Sequence, residues 1–222
     1  MLKLFYAPGT CSLASHIALE EAGAAYEARR VDFAKAEQTT PEYLAINPKG
    51  RVPALVTDRG ILTETPAILA YVAQSFPEKR LAPLDDPFEF ARLQSFLSYL
   101  CSTVHVAHAH ARRGPRWADD PAAHEAMKAK VPQNMGDCFA LIESQIFAGP
   151  YVMGETYRSP IPISSRSPIG WRATVSTRGV SQKFLTIATA WWHGRPLPRY
   201  LLRYRPSASA QNRSRFFGKH DA

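Results

Sequence analysis

The sequence predicts a small α/β domain over residues 1–82, followed by an all-helical domain over residues 88–157. In the first part, short apolar segments rich in strand-forming residues alternate with segments that have helical spacing. In the second part, apolar residues recur at helical spacing throughout, and a linker from Pro83 to Asp86 separates the two parts. Hydrophobic residues make up 45% of the chain, which is typical of a globular protein with a core.

The first domain begins with a strand and a helix. Residues 2–7 are apolar and rich in strand formers, and Pro8-Gly9 then turns the chain. Apolar residues at helical spacing from Ser12 onward predict a helix that Gly23 ends. Residues 26–33 alternate weakly between polar and apolar side chains and predict a second strand.

The rest of this domain supplies two more strands and two helices. Residues 40–44 predict a short helix with a proline in its first turn, and residues 51–56 predict a third strand. A hairpin turn at 58–60 leads into a fourth strand, and residues 65–75 predict a helix. The order βαβαββα is that of a mixed sheet with helices on its faces, which is a thioredoxin-like topology.

The second domain is predicted to contain two long helices, at 88–111 and 118–147, followed by a turn-rich loop at 149–157. The chain has no stretch of about 18 uncharged apolar residues, so the sequence predicts no membrane span. The first residues lack the basic patch and apolar run of a signal peptide, and the three cysteines lack zinc-ligand spacing. We therefore expect a cytoplasmic protein with free thiols.

Charge is distributed unevenly along the chain. The net charge is +8, but residues 158–222 contain ten Arg and two Lys against one acid, so this tail carries +11 and residues 1–157 carry −3. The composition of residues 1–157 therefore does not indicate a binder of nucleic acid. The tail alone favours one, since it is basic and contains Trp171, Trp191 and Trp192, which could stack on bases.

Cys11 is the first candidate for chemistry. It follows Pro8-Gly9 at the predicted start of the first helix, where unpaired backbone N–H groups and the positive end of the helix dipole stabilise a thiolate. We therefore expect a lowered pKa for this thiol. The alternative is a small apolar filler, because free cysteine is often buried in that role.

Two further motifs lie at strand and helix boundaries. A cis peptide at Val52-Pro53 would leave the Val52 N–H and C=O to pair with an extended peptide ligand, whereas the alternative is an ordinary edge-strand proline. At Glu64-Thr65, the hydroxyl and the helix N-terminus would hold a carboxylate, and Glu64 would hold an ammonium. Together these groups would bind the head group of an α-amino acid, and the alternative is a plain helix cap.

Three segments together carry a family resemblance. The segments are YAPGTCSLASHIALEEAG, YLAINPKGRVPALV and LTETPAILAYVAQ. Their order and spacing in residues 1–157 resemble those of bacterial beta-class glutathione transferases. The resemblance implies the glutathione transferase fold, with a thioredoxin-like domain followed by an all-helical domain, and a homodimer. It also implies a detoxifying enzyme that conjugates or exchanges the thiol of its co-substrate, glutathione, with small electrophiles.

The resemblance also implies roles for individual residues. Cys11 matches the active-site cysteine of the family, and His105 matches a second-domain histidine near that thiol, so we expect both to act in catalysis. Ser98 replaces an asparagine that is common in the same helix. The glutathione-binding residues that we expect are Lys35, Val52, Pro53, Glu64 and Thr65, with Tyr6 as a further donor unless it is a core residue.

The mechanism stays open at two points. Cys11 either stabilises the glutathione thiolate or forms a mixed disulfide with glutathione. The second substrate is also undefined, since aryl halides, epoxides, dehalogenation substrates and disulfides all fit. His105, His108 and His110 lie close together in sequence but lack a further ligand, so we expect no metal site.

The tail departs from the family pattern. Where the family has a buried helix, this chain contains Pro160, Pro162 and Pro168, which exclude that helix. A reading-frame shift near codon 157 would explain the change, because one permitted back-translation of 158–177, read in the shifted frame, gives a family-like helix. In that case the helical domain lacks its last partners, and we expect impaired activity. The alternatives are an inactive relative, a genuinely divergent tail, or a tail that binds nucleic acid or acidic surfaces.

Overall fold

The structure is a computed structural model, which describes residues 1–146 of the 222-residue chain. Four strands and six α-helices follow one another in these residues. The strands are β1 (Leu2–Tyr6), β2 (Tyr26–Arg30), β3 (Ala54–Thr57) and β4 (Gly60–Thr63). The helices are α1 (Ser12–Ala22), α2 (Pro41–Leu44), α3 (Thr65–Ser75), α4 (Pro87–Tyr99), α5 (His105–Ala109) and α6 (Pro121–Leu141).

A mixed four-stranded sheet with the order β2-β1-β3-β4 forms the centre of the first domain. β1 pairs in parallel with β2 and antiparallel with β3, and β4 pairs antiparallel with β3. Phe5 lies opposite Ala54, which in turn lies opposite Thr63. The end of β1, the start of β3 and the end of β4 therefore meet at one end of the sheet. This arrangement confirms the predicted thioredoxin-like topology.

Each face of the sheet is covered by its own apolar core. Leu4 and Leu55 point to one face, where they pack with apolar residues of α1, α3 and α4. Phe5 points to the other face and packs with Val31 and Tyr43, because successive side chains of a strand alternate between faces. Full burial of one such side chain stabilises the fold by about 1.5–3 kcal/mol. A third core lies in the helical part and comprises Phe96, Val104, Val131, Met135, Cys138 and Ile142.

Two strands differ from their predicted bounds, whereas α1 and α3 occupy the predicted residues. β2 ends three residues earlier than predicted, because the Asp32 carboxylate accepts a hydrogen bond from the Ala34 N–H at 3.0 Å and starts a 3-10 turn. β3 begins at Ala54, three residues later than predicted, since Pro53 has no N–H to donate to a neighbouring strand.

The helices of the second part also differ from the prediction. The helix predicted over 88–111 is divided into α4 and α5 by a π-helical turn at Leu100–Val104. The helix predicted over 118–147 begins at Pro121, because the Asp120 carboxylate caps it through the Ala122 N–H at 2.8 Å. Proline suits this first position, where a backbone N–H would have no partner within the helix.

Some expectations lie outside the described residues. The loop at 149–157 and the tail with its proposed frame shift follow residue 146. Within residues 1–146, no helix is both long enough and apolar enough to cross a membrane. The thiols of Cys11, Cys101 and Cys138 are free, as the sequence predicts.

His16 is buried in α1, and its ring lies between two tyrosines. Its ring centroid is 4.9 Å from that of Tyr6 and 5.7 Å from that of Tyr26, with both contacts edge to face. The Tyr26 hydroxyl donates a hydrogen bond to the Glu20 carboxylate at 2.5 Å. Burial lowers the pKa of His16 to about 4, although the Glu20 charge acts in the opposite direction. The imidazole is therefore neutral at pH 7.

We expect acid to destabilise the fold in part through His16. Its pKa is about 4 in the folded chain against an ordinary value of 6.5, so the unfolded chain binds more protons between these values. The contribution that neutral His16 makes to the stability of the folded chain is complete above pH 6.5 and is lost as the pH falls towards 4. At pH 5 the loss is about 2 kcal/mol. In urea titrations at pH 7 and pH 5, the free energy of unfolding of the His16→Leu variant should fall by about 2 kcal/mol less than that of the parent chain. Equal losses in the two chains would contradict this explanation.

Candidate active site

The loop between β1 and α1 is held by side-chain hydroxyls. The Ser12 hydroxyl accepts a hydrogen bond from the Ala7 N–H at 3.1 Å, and the Thr10 hydroxyl donates to the Ala7 carbonyl at 2.8 Å. The two hydroxyl oxygens lie 2.7 Å apart. Because Ser12 is fully buried, these bonds fix Cys11 in place immediately before the first turn of α1.

The Cys11 thiol lies between two other segments of the same domain. Its Sγ donates to the Val52 carbonyl at 3.4 Å, and the Thr65 hydroxyl forms a hydrogen bond with it. Burial raises the pKa of Cys11 above its ordinary value, while the Thr65 hydroxyl and the charge of Arg113 act to lower this pKa. The lowered pKa expected from the helix terminus is therefore wrong, because the loss of water around the sulfur outweighs the stabilising groups.

The segment before β3 presents its backbone beside this thiol. The Val52-Pro53 peptide bond is cis, the form that the ligand-binding interpretation requires. The Arg51 carbonyl accepts hydrogen bonds from the Tyr43 hydroxyl at 2.7 Å and the Asn47 amide at 2.6 Å. Within residues 1–146, the Val52 N–H forms no hydrogen bond. This N–H is therefore available to the backbone carbonyl of a ligand.

Glu64 and Thr65 form the third part of the site. Glu64 immediately precedes α3 with a backbone φ of +70°, a conformation that residues other than glycine rarely adopt and that is concentrated at functional sites. Its carboxylate forms a salt bridge with the Lys49 ammonium, which also donates to the Thr63 hydroxyl at 2.7 Å. The sequence predicts that Glu64 holds the ammonium of a ligand, whereas in the structure its carboxylate pairs with Lys49.

Two of the expected glutathione-binding residues, Lys35 and Tyr6, lie in different surroundings, one on an exposed turn and the other against the core. Lys35 ends an exposed 3-10 turn and forms no salt bridge within residues 1–146. The Tyr6 ring packs against His16 and the apolar core of the sheet. Burial raises the pKa of Tyr6 and so keeps its hydroxyl protonated at neutral pH. These contacts favour the core alternative for Tyr6.

The helical part brings two ionisable groups and a second thiol to this region. Burial and nearby cations, first among them Arg113, lower the pKa of His105 to about 4, so its imidazole is neutral at pH 7. The charge of Arg113 also acts on Cys11. Cys101 is an exposed residue of the π-helical turn, and the loss of solvation at its sulfur, together with the charges of Cys11 and Glu64, raises its pKa to about 11.

The loop that carries Arg113 is packed against α6. Gly114 is buried, and a Cβ at this position would lie 2.7 Å from the ring of His124. The His124 ring is itself fixed by a hydrogen bond of 2.6 Å between its Nε2 and the Ala118 carbonyl. This close packing determines where the loop places Arg113.

Sequence reasoning missed Lys49, Arg51 and Arg113 as members of this region. Lys49 gave a usable signal, since it belongs to the turn motif NPKG next to the third strand. Arg51 and Arg113 gave none, because only the folded chain brings them near each other. Among the residues that the structure describes, no three His, Cys, Asp or Glu side chains converge as metal ligands.

Sequence comparisons identify relatives of this chain. The family model for the glutathione S-transferase N-terminal domain matches residues 1–74. Glutathione S-transferase GstA of Escherichia coli O157:H7 is 43% identical over 107 residues, which cover 47% of this chain and 53% of that protein. A zeta-class glutathione S-transferase of Euphorbia esula is 44% identical over 85 residues, 38% of each chain. The chain thus spans about half the length, or less, of these curated relatives.

Solved structures match a larger share of the chain. A glutathione transferase homolog from Sulfitobacter, solved with bound glutathione, is 44% identical with a TM-score of 0.73, over 90% of this chain and 86% of that one. A bacterial beta-class enzyme from Sphingomonas chungbukensis is 33% identical with a TM-score of 0.62, over 85% and 81%. The fold and the site thus define a thioredoxin-like domain joined to a helical region. The chain belongs to the glutathione transferase family.

We expect Gly114→Ala to destabilise the chain by about 1–3 kcal/mol, since the added Cβ would overlap the His124 ring. In a His124→Ala background, the same substitution should cost less, because the two closest ring atoms are gone and only the Cβ of residue 124, at 3.0 Å, still crowds the added group. Urea unfolding of the four chains of this cycle measures both costs. An equal cost in both backgrounds would show that the overlap is not the cause.

We expect the Cys11 thiol to react slowly with iodoacetamide at pH 7, because burial raises its pKa. The rate should keep rising as the pH passes 9.0, the ordinary value of this thiol. Arg113→Gln should lower the rate at pH 7, because a stabilising charge is lost, whereas Arg59→Gln in the β3–β4 turn should leave it unchanged. Peptide mass spectrometry separates Cys11 from the other cysteines. A rate already maximal at pH 7 would refute the raised pKa.

Proposed function

We propose that the chain is a glutathione transferase, which joins the thiol of glutathione to small electrophiles. The observation that carries this proposal is the convergence of Cys11, Val52 and Thr65 at one end of the sheet. The names of the relatives, and the glutathione bound to the Sulfitobacter homolog, support glutathione as the co-substrate.

Each part of glutathione has a matching group in this site. The N–H and carbonyl of Val52 would pair with the backbone of the cysteinyl unit. The Thr65 hydroxyl and the first N–H groups of α3 would hold the γ-glutamyl carboxylate. The Glu64 side chain, which is 61% exposed, would hold the γ-glutamyl ammonium beside Lys49. Lys35, on its exposed turn, would contact glutathione at the edge of the site.

The state of the Cys11 thiol favours one of the two mechanisms that the sequence leaves open. Because burial keeps Cys11 protonated at pH 7, its S–H donates a hydrogen bond more readily than it attacks a disulfide. Together with the charge of Arg113, this donor would stabilise the glutathione thiolate, which then attacks the electrophile. His105, neutral at pH 7, would accept a hydrogen bond at the same site. Conjugation is therefore favoured over a mixed disulfide at Cys11.

The finer assignments belong to the same proposal. The order of the sequence motifs and the 33% identity to the Sphingomonas enzyme support the beta class. The zeta-class protein of Euphorbia is more similar over a shorter stretch, so the class remains part of the proposal. We also propose a cytoplasmic homodimer in which residues 1–82 bind glutathione and residues 88–157 form the helical domain.

Glutathione binding by the full chain tests this proposal. We expect Thr65→Ala to weaken binding about tenfold, because a hydrogen bond to a carboxylate is lost. Thr57→Ala is the matched control, since the Thr57 hydroxyl donates to the Gly60 carbonyl at 2.8 Å in the β3–β4 turn. It should bind glutathione as the parent does in calorimetric titration. Equal affinities in all three chains, or no binding by a folded parent, would rule out the glutathione assignment.

A further inference from the structure

Lys49 and Glu64 form an ion pair at the start of α3, where the γ-glutamyl end of glutathione is proposed to bind. The Lys49 ammonium pairs with the Glu64 carboxylate and also donates a hydrogen bond to the Thr63 hydroxyl at 2.7 Å. These two acceptors belong to the two residues that immediately precede α3, which begins at Thr65. The ammonium is therefore held close to the helix terminus that would receive the γ-glutamyl carboxylate.

The turn that carries Lys49 has a fixed backbone. The side chain of Asn47, which is almost fully buried, accepts a hydrogen bond from the Lys49 N–H at 3.2 Å and donates one to the Arg51 carbonyl at 2.6 Å. Gly50 has a φ of +59°, and a Cβ there would lie 3.1 Å from the Gln38 carbonyl oxygen. The position of Lys49 is thus set before a ligand binds, which lowers the entropic cost of binding.

The contribution of this ion pair to folding does not explain its geometry. Glu64 adopts its φ of +70° at a cost in backbone strain. The side chains of Lys49 and Glu64 are 42% and 61% exposed, and an ion pair in water stabilises a fold too little to offset such strain. The exposed charges face solvent, where a ligand can reach them. The geometry therefore favours a role of the pair in binding.

The pair keeps one donor and one acceptor unused among residues 1–146. An ammonium has three N–H donors, and Lys49 directs two of them to Thr63 and Glu64. The Glu64 carboxylate has two oxygens, of which Oε1 receives Lys49. The third donor of Lys49 and the Oε2 oxygen of Glu64 can therefore bind a carboxylate and an ammonium at the same time.

The γ-glutamyl head group of glutathione carries an ammonium and a carboxylate on one carbon atom. Glu64 alone would attract the ammonium and repel the carboxylate, because like charges repel. With Lys49 beside it, the pair presents both signs of charge and matches both charges of the head group. A ligand that lacks the carboxylate would leave the third donor of Lys49 without a partner, and specificity follows from this difference.

We propose that Lys49 binds the γ-glutamyl carboxylate of glutathione and thereby makes the site selective for a zwitterionic head group. This inference deepens the proposed function and rests on it, since it adds a residue to the same site. In the complex, Lys49 keeps its contacts with Thr63 and Glu64 and donates its third N–H to the carboxylate, beside the Thr65 hydroxyl. The Glu64 Oε2 accepts from the ligand ammonium. No covalent bond is made or broken.

Two analogues that each lack one charge of the head group provide the probe. In 4-aminobutanoyl-cysteinylglycine a hydrogen replaces the γ-glutamyl carboxylate, and in glutaryl-cysteinylglycine a hydrogen replaces the ammonium. Both keep the thiol and the glycine carboxylate. In calorimetric titrations of the full chain, Lys49→Gln should weaken the binding of glutathione and of the glutaryl analogue about tenfold, because a charge-assisted hydrogen bond is lost. It should weaken the 4-aminobutanoyl analogue by less than about twofold.

Lys3→Gln is the matched control. Lys3 forms a salt bridge of 3.0 Å with Glu27, and its side chain is 38% exposed, close to the 42% of Lys49. It lies at the start of β1, whereas the candidate site lies at the end of this strand. The control variant should bind all three ligands as the parent chain does. Both variants should unfold cooperatively in urea, since each substitution replaces an exposed side chain.

The pattern of losses shows what Lys49 does. Losses confined to the two ligands with the γ-glutamyl carboxylate support the proposal. Equal losses for all three ligands mean that Lys49 holds the glycine carboxylate or only supports Glu64, and either result overturns the proposal. Tighter binding of glutathione by Lys49→Gln means that Lys49 competes with the ligand ammonium for Glu64, and this overturns the proposal as well.

The parent chain separates a failure of this inference from a failure of the proposed function. A folded parent chain that binds no glutathione overturns both. A parent chain that binds glutathione, in combination with equal losses for the three ligands in Lys49→Gln, leaves the proposed function intact and overturns only the role of Lys49.

Discussion

Strand β1 pairs with a strand on each side, and this pairing determines where the candidate site lies. Because Phe5 lies opposite Ala54, the loop after β1 and the segment before β3 meet at the same end of the sheet. Cys11 and Val52 occupy these two segments, and their 3.4 Å contact depends on the register of the strands. A shift of one residue would turn every side chain of the strand to the opposite face and separate the two.

Burial and charge act in opposite directions at this site. Burial keeps the Cys11 thiol and the His105 imidazole uncharged at pH 7, whereas Arg51 and Arg113 remain charged at its edge. The site therefore combines net positive charge with neutral hydrogen-bonding groups. Such an arrangement stabilises an anion brought in from solution better than an anion generated on the protein itself.

The sequence predicts the strands and helices of the first domain well, because local signals mark their ends; Gly23, for example, ends α1 in a left-handed conformation. It predicts Cys11, Val52 and Thr65 as one site through motif and resemblance, and the structure brings them together. The direction of the Cys11 pKa shift could not be predicted, because burial depends on packing between distant segments. The position of Arg113 could not be predicted either, because it depends on how the helical part packs against the first domain.

The π-helical turn at Leu100–Val104 contains one residue more than an α-helical path between the same ends would need. Deletion of one codon in this turn would let α4 and α5 continue as a single α-helix that keeps its backbone hydrogen bonds. The same deletion would rotate α5 and the loop after it by about 100° around the helix axis. Arg113, whose charge acts on the Cys11 thiol, would then turn away from it. Natural variation in the length of this one turn would therefore change the charge of the site while leaving the fold intact.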